Sequence, residues 1–442
     1  MYSGGAMNII CRPKGVVGTL RTKRDIKAIM DSGYSYTAVD LSVFTMPNEI
    51  RQLSTPNFKR EGGKVYLTEH PEKLVEVVTS SFIRYAKELK IKLPIAIAPY
   101  TDADILQSKY VEADKVNDIM SALAHETLVA AVNAGCERVI VYPLFAGVTP
   151  DKEWEVNHAF YRSLAQKAVE LGSKIQILLI NRPKDINGHL VRGICAEPEQ
   201  AIGWIDDLNK ECGEERFGFC FDLGVATLCG QNVYEVLKAF EKRLKAVIIR
   251  DCDGIHDVEM LPYTACMRGQ QTDWLSFVRA LRQLDFDGDF IMDFADTYGQ
   301  MPDMMGPAVL KLSNEIAGDF CWHIGMTRLV KKHDKRVLFG AGNMCRAYMK
   351  DYGRDYPPLF TCDNNSSRWG ETFEGLTVEP PEKLKGISPD TAIYICNVYY
   401  NEITAQIKEM GLPNPVEWFC DLYMDSFYMD RLDMAKNPFE GK

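Results

Sequence analysis

The chain has little histidine and no CxxC pair. Seven His in 442 residues leave little material for an imidazole-rich metal centre. The 13 Cys are scattered singly from Cys11 to Cys420, so neither a zinc ribbon nor a thioredoxin motif is expected. Many lie in apolar runs, such as Cys220 in FGFCFDLG and Cys396 in IYICNVYY. They read as buried, reduced thiols of a cytoplasmic protein. Long apolar runs are also missing. VIVYPLFAGV is interrupted by Pro143 and Gly147 and falls short of the ~18 residues of a membrane span. The segment MYSGGAMNIICRPKG lacks the pattern of a secretory leader. An excess of basic charge is absent too, with 51 Lys+Arg against 61 Asp+Glu and a net charge of −10. Neither nucleic acid nor an anionic membrane is expected as the main partner. A DNA-repair nuclease would need a basic face and a histidine-rich zinc cluster, and the chain offers neither.

What is present is ordinary globular composition, 46% hydrophobic and 25% charged. The length suits two domains, or a large barrel with a smaller unit. Up to about residue 325, strand-like runs alternate with amphipathic helical patterns. The runs are Ala38–Phe44, Ile95–Pro99, Arg138–Tyr142, Ile175–Ile180, Gly218–Phe221, Ala246–Ile249 and Phe290–Phe294. Val116, Met120 and Leu123 illustrate a helical face between two of them. Alternating strands and helices predict a parallel sheet. The seven runs, with a fainter one in GVVGTL near Val16, predict a (β/α)8 barrel. An open doubly wound sheet is the competing arrangement. The polar stretch His323–Arg336 reads as a linker or a solvated helix. The expected domains are 1–325, 334–412 and an aromatic tail, 413–442, that docks on the protein itself.

In the second domain a strand, Arg336–Phe339, runs into Gly340-Ala341-Gly342, which opens a helix. Asp363 closes the next strand. Glycines at such a turn let backbone N–H groups approach a phosphate, and an acid at Asp363 can hold a ribose hydroxyl. The third glycine of the usual pattern is Cys345, so a unit without a nucleotide is the alternative.

In a barrel, chemistry collects where strands end. Asp222 ends one strand. Asp251 ends the next, followed by Asp253, His256, Asp257 and Glu259. Asp293 ends a third. These carboxylates could converge on a divalent metal through oxygen ligands. Alternatively they cap helices or pair with Arg182, Arg250 and Arg268. His158 falls on a helical pattern and reads as structural.

Two resemblances add to this. Residues 336–411, through FGAGNMCRAYMKDY, CDNNSSRWGETFEGLTVEPPEKL and IYICNVYYNEITAQIKEMG, resemble the small Rossmann-like domain appended to some methyltransferases and polysaccharide-biosynthesis proteins. Residues 15–320 resemble the xylose isomerase-like TIM-barrel superfamily of sugar-phosphate isomerases and epimerases. The matching segments are AAVNAGCERVIVYPLFAG, CFDLGV, VIIRDCDGIHDVEMLP and DWLSFVRALRQLDFDGDFIMD. The resemblance implies metal carboxylates at Asp222 and Asp293. It also exposes departures. The family's glutamate falls at Ile180, its histidines at Val225, Ile248 and Glu259, its last glutamate at Asp293, and a glycine pair is reduced to Gly269. The remaining oxygen set would favour Mg²⁺ or Mn²⁺ over Zn²⁺.

The expected fold is therefore α/β, a (β/α)8 TIM barrel followed by a small Rossmann-like α/β domain. The expected activity is that of a sugar or sugar-phosphate isomerase or epimerase, working by proton abstraction next to a carbonyl. Asp293, Glu259 and His256 are its candidate acid–base groups. Arg182 and Arg250 would bind substrate, Asp222, Asp257 and Asp293 would hold a metal, and Gly340, Gly342 and Asp363 a nucleotide. A non-catalytic carbohydrate-binding or regulatory protein is the alternative. The partner is a small carbohydrate, with a homo-oligomer expected from the appended domain.

Overall fold

The computed structural model describes residues 7–18, 21–42, 58–61, 64–67, 71–100, 113–145, 147–265 and 272–424. By contacts these form two compact units. One holds 7–273 and 287–319. The other holds 274–286 and 320–424.

The first unit contains strands β1 (Asn8–Cys11), β2 (Tyr36–Thr37), β3 (Val39–Asp40), β4 (Phe58–Glu61), β5 (Lys64–Leu67), β6 (Ile95–Ile97) and β7 (Arg138–Ile140). It continues with β8 (Gln176–Ile180), β9 (Pro183–Ile186), β10 (His189–Arg192), β11 (Phe217–Asp222), β12 (Leu244–Ile249) and β13 (Asp289–Met292). Strands β4–β5 and β9–β10 are antiparallel hairpins outside the main sheet. The main sheet is parallel and runs β2-β1-β13-β12-β11-β8-β7-β6-β3. Its two end strands are consecutive pieces of one strand interrupted at Ala38, whose N–H still reaches Cys11 O at 3.3 Å. The ring therefore closes with eight strand positions in chain order. An open doubly wound sheet would reverse that order, so the arrangement is a TIM-type barrel.

The apolar runs explain the strands. Barrel strands are buried on both faces, so they read as continuous hydrophobic segments. All of Phe217–Asp222 is buried. Ile10, Ile97, Ile140, Leu178, Ile180, Cys220, Ile248 and Ile291 belong to one buried cluster. Phe219 instead stacks on Phe240 of helix Val233–Phe240, with ring centroids 3.8 Å apart.

The first strand departs from expectation. It is Asn8–Cys11, not GVVGTL. Ile10 registers with Ile291 on one side and Tyr36 on the other. Pro13 ends the ladder, and Val16 lies buried in the loop beyond. Arg12 and Lys14 are thereby placed at the carboxyl end of a barrel strand.

In the second unit, β14 (Arg336–Phe339), β15 (Thr361–Cys362), β16 (Thr372–Phe373), β17 (Leu376–Glu379), β18 (Ala392–Ile395) and β19 (Val416–Trp418) form a sheet in the order β16-β17-β15-β14-β18-β19. Only the β16–β17 pair is antiparallel. Alternate residues feed two cores. Leu338 and Tyr394 join Tyr348 and Phe419, while Val337, Phe339 and Ile393 join Ile403 and Ile407. This is a small α/β domain with helices on both faces.

The stretch His323–Arg336 is not a solvated linker. His323 ends helix Gly306–Ile324 and is buried. Met326 and Val330, on helix Met326–Lys331, are fully buried in the core with Leu338. Helix Trp274–Gln283 belongs to this unit by its contacts. Trp274 stacks on Phe320, and Arg282 donates to His323 O and Tyr423 O. The start of the expected aromatic tail supplies β19 and the buried Phe419. Residues 425–442, and Arg268 and Gly269, lie outside the described residues.

Candidate functional site

The barrel's polar residues gather where its strands end. Arg12 follows β1, and Asp40 ends β3. Tyr100, Tyr142 and Arg182 follow β6, β7 and β8. Asp222 ends β11, while Arg250 and Asp293 follow β12 and β13.

Arg12 is at the centre. Its guanidinium is 3% exposed and donates from Nε to Asp40 at 2.8 Å, from one terminal nitrogen to Asp293 Oδ2, and from the other to Ser42 Oγ at 2.7 Å. Burial opposes its charge, but Asp293 and Asp40 hold its pKa well above the ordinary value. Asp293 is 1% exposed, and its Oδ1 is buried without a hydrogen-bond partner. Its hydrogen-bonding capacity is thus left unused, in contrast to Oδ2.

Lys14, two residues on, bonds Glu259 Oε1 and reaches Tyr100 Oη at 3.2 Å. Burial, then the charge of Asp293, raises the Glu259 pKa, against the pull of Lys14. Burial also pushes Tyr100 up to about 12. Glu259 is fixed by its backbone. Its N–H donates to Asp296 Oδ2 at 2.7 Å, and its carbonyl accepts from Asp296 N–H at 3.0 Å. Tyr100 and Tyr142 pack with centroids 4.7 Å apart. Arg182 lies over Phe145 at 4.4 Å and near both tyrosine rings, a cation–π setting for a buried guanidinium. The β9–β10 hairpin returns to hold it, Arg182 N–H donating to Ile194 O at 3.1 Å.

Arg250 is committed elsewhere. Its Nε meets both Asp222 oxygens, at 2.9 and 3.2 Å. A terminal nitrogen donates to Asp257 at 2.6 Å and to Val258 O at 3.0 Å. Burial pushes the Asp257 carboxyl up, but Arg250 brings it below its ordinary value. Asp222 Oδ1 also accepts from Val225 N–H, capping helix Leu223–Leu228.

The expected residues thus separate. Asp293, Glu259 and Arg182 belong to the polar centre. Asp222, Asp257 and Asp293 do not form an oxygen ligand set, because Arg250 takes the first two and Arg12 the third. Among the described residues, no group of three or more His, Cys, Asp or Glu is arranged to hold a metal ion. The donor set therefore does not fit a divalent cation. Arg250 is not a free anion clamp, since Nε and one terminal nitrogen are held by Asp222, Asp257 and the Val258 carbonyl. His256 is exposed and pairs with Asp253, Nδ1 to Oδ2 at 2.6 Å. Asp251 is structural, accepting from Thr272 Oγ1 and Cys252 N–H. His158 bonds Glu211 from helix Glu153–Glu170. Arg12, Lys14, Asp40 and Tyr100 were not singled out from the sequence. Two basic residues in RPK just beyond NIIC would have marked the first two, had that strand been assigned.

In the small domain Gly340 has φ +117°, and a Cβ there would lie 2.6 Å from Cys396 O. The glycine loop is bonded to its own framework. Gly340 N–H donates to Cys362 O at 2.7 Å and Ala341 N–H to Asp363 Oδ2 at 2.8 Å. Asp363 Oδ1 accepts from Asn365 N–H at 2.8 Å. Both Asp363 oxygens thus already accept from backbone, one from the glycine loop and one from the turn after Asp363 itself. Gly342 precedes helix Asn343–Asp351 as its cap. Beside Asp363, a cavity of about 300 Å³ is lined by Asn364, Asn397, Tyr399, Glu402 and Gln406.

Fold and site together describe a TIM-type barrel with a buried, ion-paired polar centre at its strand ends, joined to a small α/β domain. No protein-family model and no curated protein matches the chain. Among solved structures, a D-tagatose 3-epimerase-like protein is similar at 15% identity and TM-score 0.47, over 71% of this chain and 99% of that one. The D-allulose 3-epimerase from Methylomonas sp., in complex with D-allulose, is similar at 13% identity and TM-score 0.45, over 75% and 98%. An L-ribulose 3-epimerase is similar at 11% identity and TM-score 0.49, over 74% and 97%. Among the described residues, no helix is long and apolar enough to cross a membrane.

Proposed function

We propose that the barrel is a sugar or sugar-phosphate isomerase or epimerase that removes a proton from the carbon next to a carbonyl. The observation that carries this reading is the partnerless, buried Oδ1 of Asp293 beside a fixed guanidinium. Asp293 takes the proton, and the electron pair moves onto the carbonyl oxygen to give an enediolate. The Lys14 ammonium is the cation placed to stabilise that oxygen. The proton returns to the same carbon or its neighbour from Asp293, or from Glu259 in its protonated form. The raised pKa of Glu259 suits it to that second role. Arg182 on its aromatic bed binds a substrate hydroxyl or an anionic group. Arg250 acts as a positioning residue, holding the loop that carries Glu259 through Asp257 and Val258 O.

The small domain reads as a Rossmann-like unit, with parallel strands and a glycine turn after its first strand. Its closed loop supports a structural role over nucleotide binding. The described cysteines are free thiols, most of them buried, which accords with a cytoplasmic location.

The test is proton exchange in D₂O, read by NMR, on a panel including D-tagatose, D-allulose, L-ribulose and ketose and aldose phosphates. Deuterium should enter next to the carbonyl of at least one member, and Asp293→Asn should abolish it. A panel without exchange overturns the reading. Binding without exchange would support the carbohydrate-binding alternative instead.

A further inference from the structure

We infer that Arg250 and Arg12 are built-in cations that occupy the charge positions a divalent ion would need, so that this barrel centre works without a resident metal. The inference rests on packing and pairing rather than on turnover.

Arg250 behaves as one cation shared by two carboxylates. Its Nε spans both oxygens of Asp222, and its terminal nitrogen takes Asp257. The side chains of Arg250 and Asp222 are 5% and 8% exposed. The surroundings are built for this side chain. A Cβ on Gly224 would lie 2.5 Å from Arg250 Nε, 2.7 Å from its Cγ and 2.8 Å from its Cζ. No side chain can stand at 224 while the guanidinium is in place. The Val258 carbonyl accepts the guanidinium as well, and Val225 N–H satisfies Asp222 Oδ1 from the other side.

Arg12 repeats the arrangement one strand beyond β13. It joins Asp40 to Asp293 and uses its remaining terminal nitrogen on Ser42. A metal ion entering either place would have to eject a buried guanidinium and leave it uncompensated, which is strongly unfavourable. The ammonium of Lys14, 19% exposed against 3% for Arg12 and 5% for Arg250, is the more accessible cation for a ligand oxygen.

The experiment uses the full chain purified without chelator and then treated with EDTA. Mn²⁺ and Mg²⁺ are titrated in by calorimetry, and the melting temperature is followed with and without each ion. The wild-type chain should bind neither stoichiometrically, and its Tm should not respond to EDTA or to Mn²⁺. Arg250→Ala leaves Asp222 and Asp257 without their cation. Its Tm should fall and should be raised again by Mn²⁺, whereas Arg250→Lys should remain indifferent to the ion. One equivalent of Mn²⁺ bound by the wild-type chain, with a rise in Tm, overturns the inference. So does an Arg250→Ala chain that folds but ignores Mn²⁺. Should Arg250→Ala fail to fold, the wild-type titration decides alone. Metal-free protein that exchanges no sugar proton would sink the proposed activity and leave this inference standing. Exchange seen only with Mn²⁺ would do the reverse.

Discussion

Arg12 and Asp293 meet across 281 residues of chain in a buried setting, where Arg12 also neutralises Asp40. Removing one partner leaves an uncompensated charge, which costs about 3–5 kcal/mol. Arg12→Ala should therefore lower unfolding stability by about that amount in urea titrations. Replacing both residues with apolar ones should cost less than the two single changes combined, the remaining loss coming from Asp40, which Arg12 also neutralises. Strict additivity in that cycle would show that the pair is not the coupling unit.

Asp289 offers a control four residues earlier, at the other end of β13. It is fully buried and accepts from Arg138 at 2.8 Å and from Asn8 Nδ2 at 2.9 Å. Asp289→Ala should destabilise the chain by roughly 2 kcal/mol, since it removes a fully buried carboxylate and leaves two half-buried donors without their acceptor. Proton exchange on a sugar should survive in whatever fraction stays folded. Equal loss of exchange in Asp289→Ala and Asp293→Asn would argue that Asp293 acts only through stability.

The contrast between these two acids shows what the sequence could and could not disclose. Parallel barrel strands are buried on both faces, so IQILLI and AVII announced themselves as apolar runs. Strand-end positions then followed for Asp222 and Asp293. Asn8–Cys11 is only four residues long and lost to the more β-branched GVVGTL nearby. With it went Arg12 and Lys14. Partners were harder still, because pairing over 281 residues is a tertiary fact. Arg250 and Asp257 are just seven residues apart, and pairing of the acids with Arg250 was open as the alternative to metal binding. The buried face of His323–Arg336 is not legible in the sequence, because helix Met326–Lys331 has six residues, too few to show a period.

Gly224→Ala tests the fit around Arg250 directly. The added Cβ would fall 2.5–2.8 Å from three Arg250 atoms along its stem and head, not at a flexible tip. Overpacking of this kind typically costs about 1–3 kcal/mol. We expect that loss by denaturant titration, together with slower proton exchange as the loop bearing Glu259 shifts. A neutral Gly224→Ala would mean that Arg250 can be held elsewhere at no cost.

The small domain should be indifferent to nucleotides. Ala341 N–H is spent on Asp363, and both Asp363 oxygens accept from backbone. NAD, NADP, ATP and nucleotide sugars should leave the melting temperature unchanged. A saturable shift with any one of them would show that the loop opens. Asp363→Ala should lower Tm without ligand, because it frees the turn it now ties.

Acid should weaken the chain through His323. The imidazole is 1% exposed, and burial, reinforced by the nearby Arg282 charge, depresses its pKa to about 3. In the unfolded chain a histidine titrates near 6.5. Between those values the unfolded state binds the extra proton, so stability rises with pH and falls on acidification. The slope approaches roughly 1.4 kcal/mol per pH unit below about pH 6 and flattens near pH 3. Other groups add their own terms, so the readout is the difference between wild type and His323→Gln. Urea titrations from pH 7 to pH 4 should show the variant losing less stability over that range, even if it is less stable at pH 7. Parallel pH profiles for the two proteins would mean that His323 becomes charged without leaving the fold.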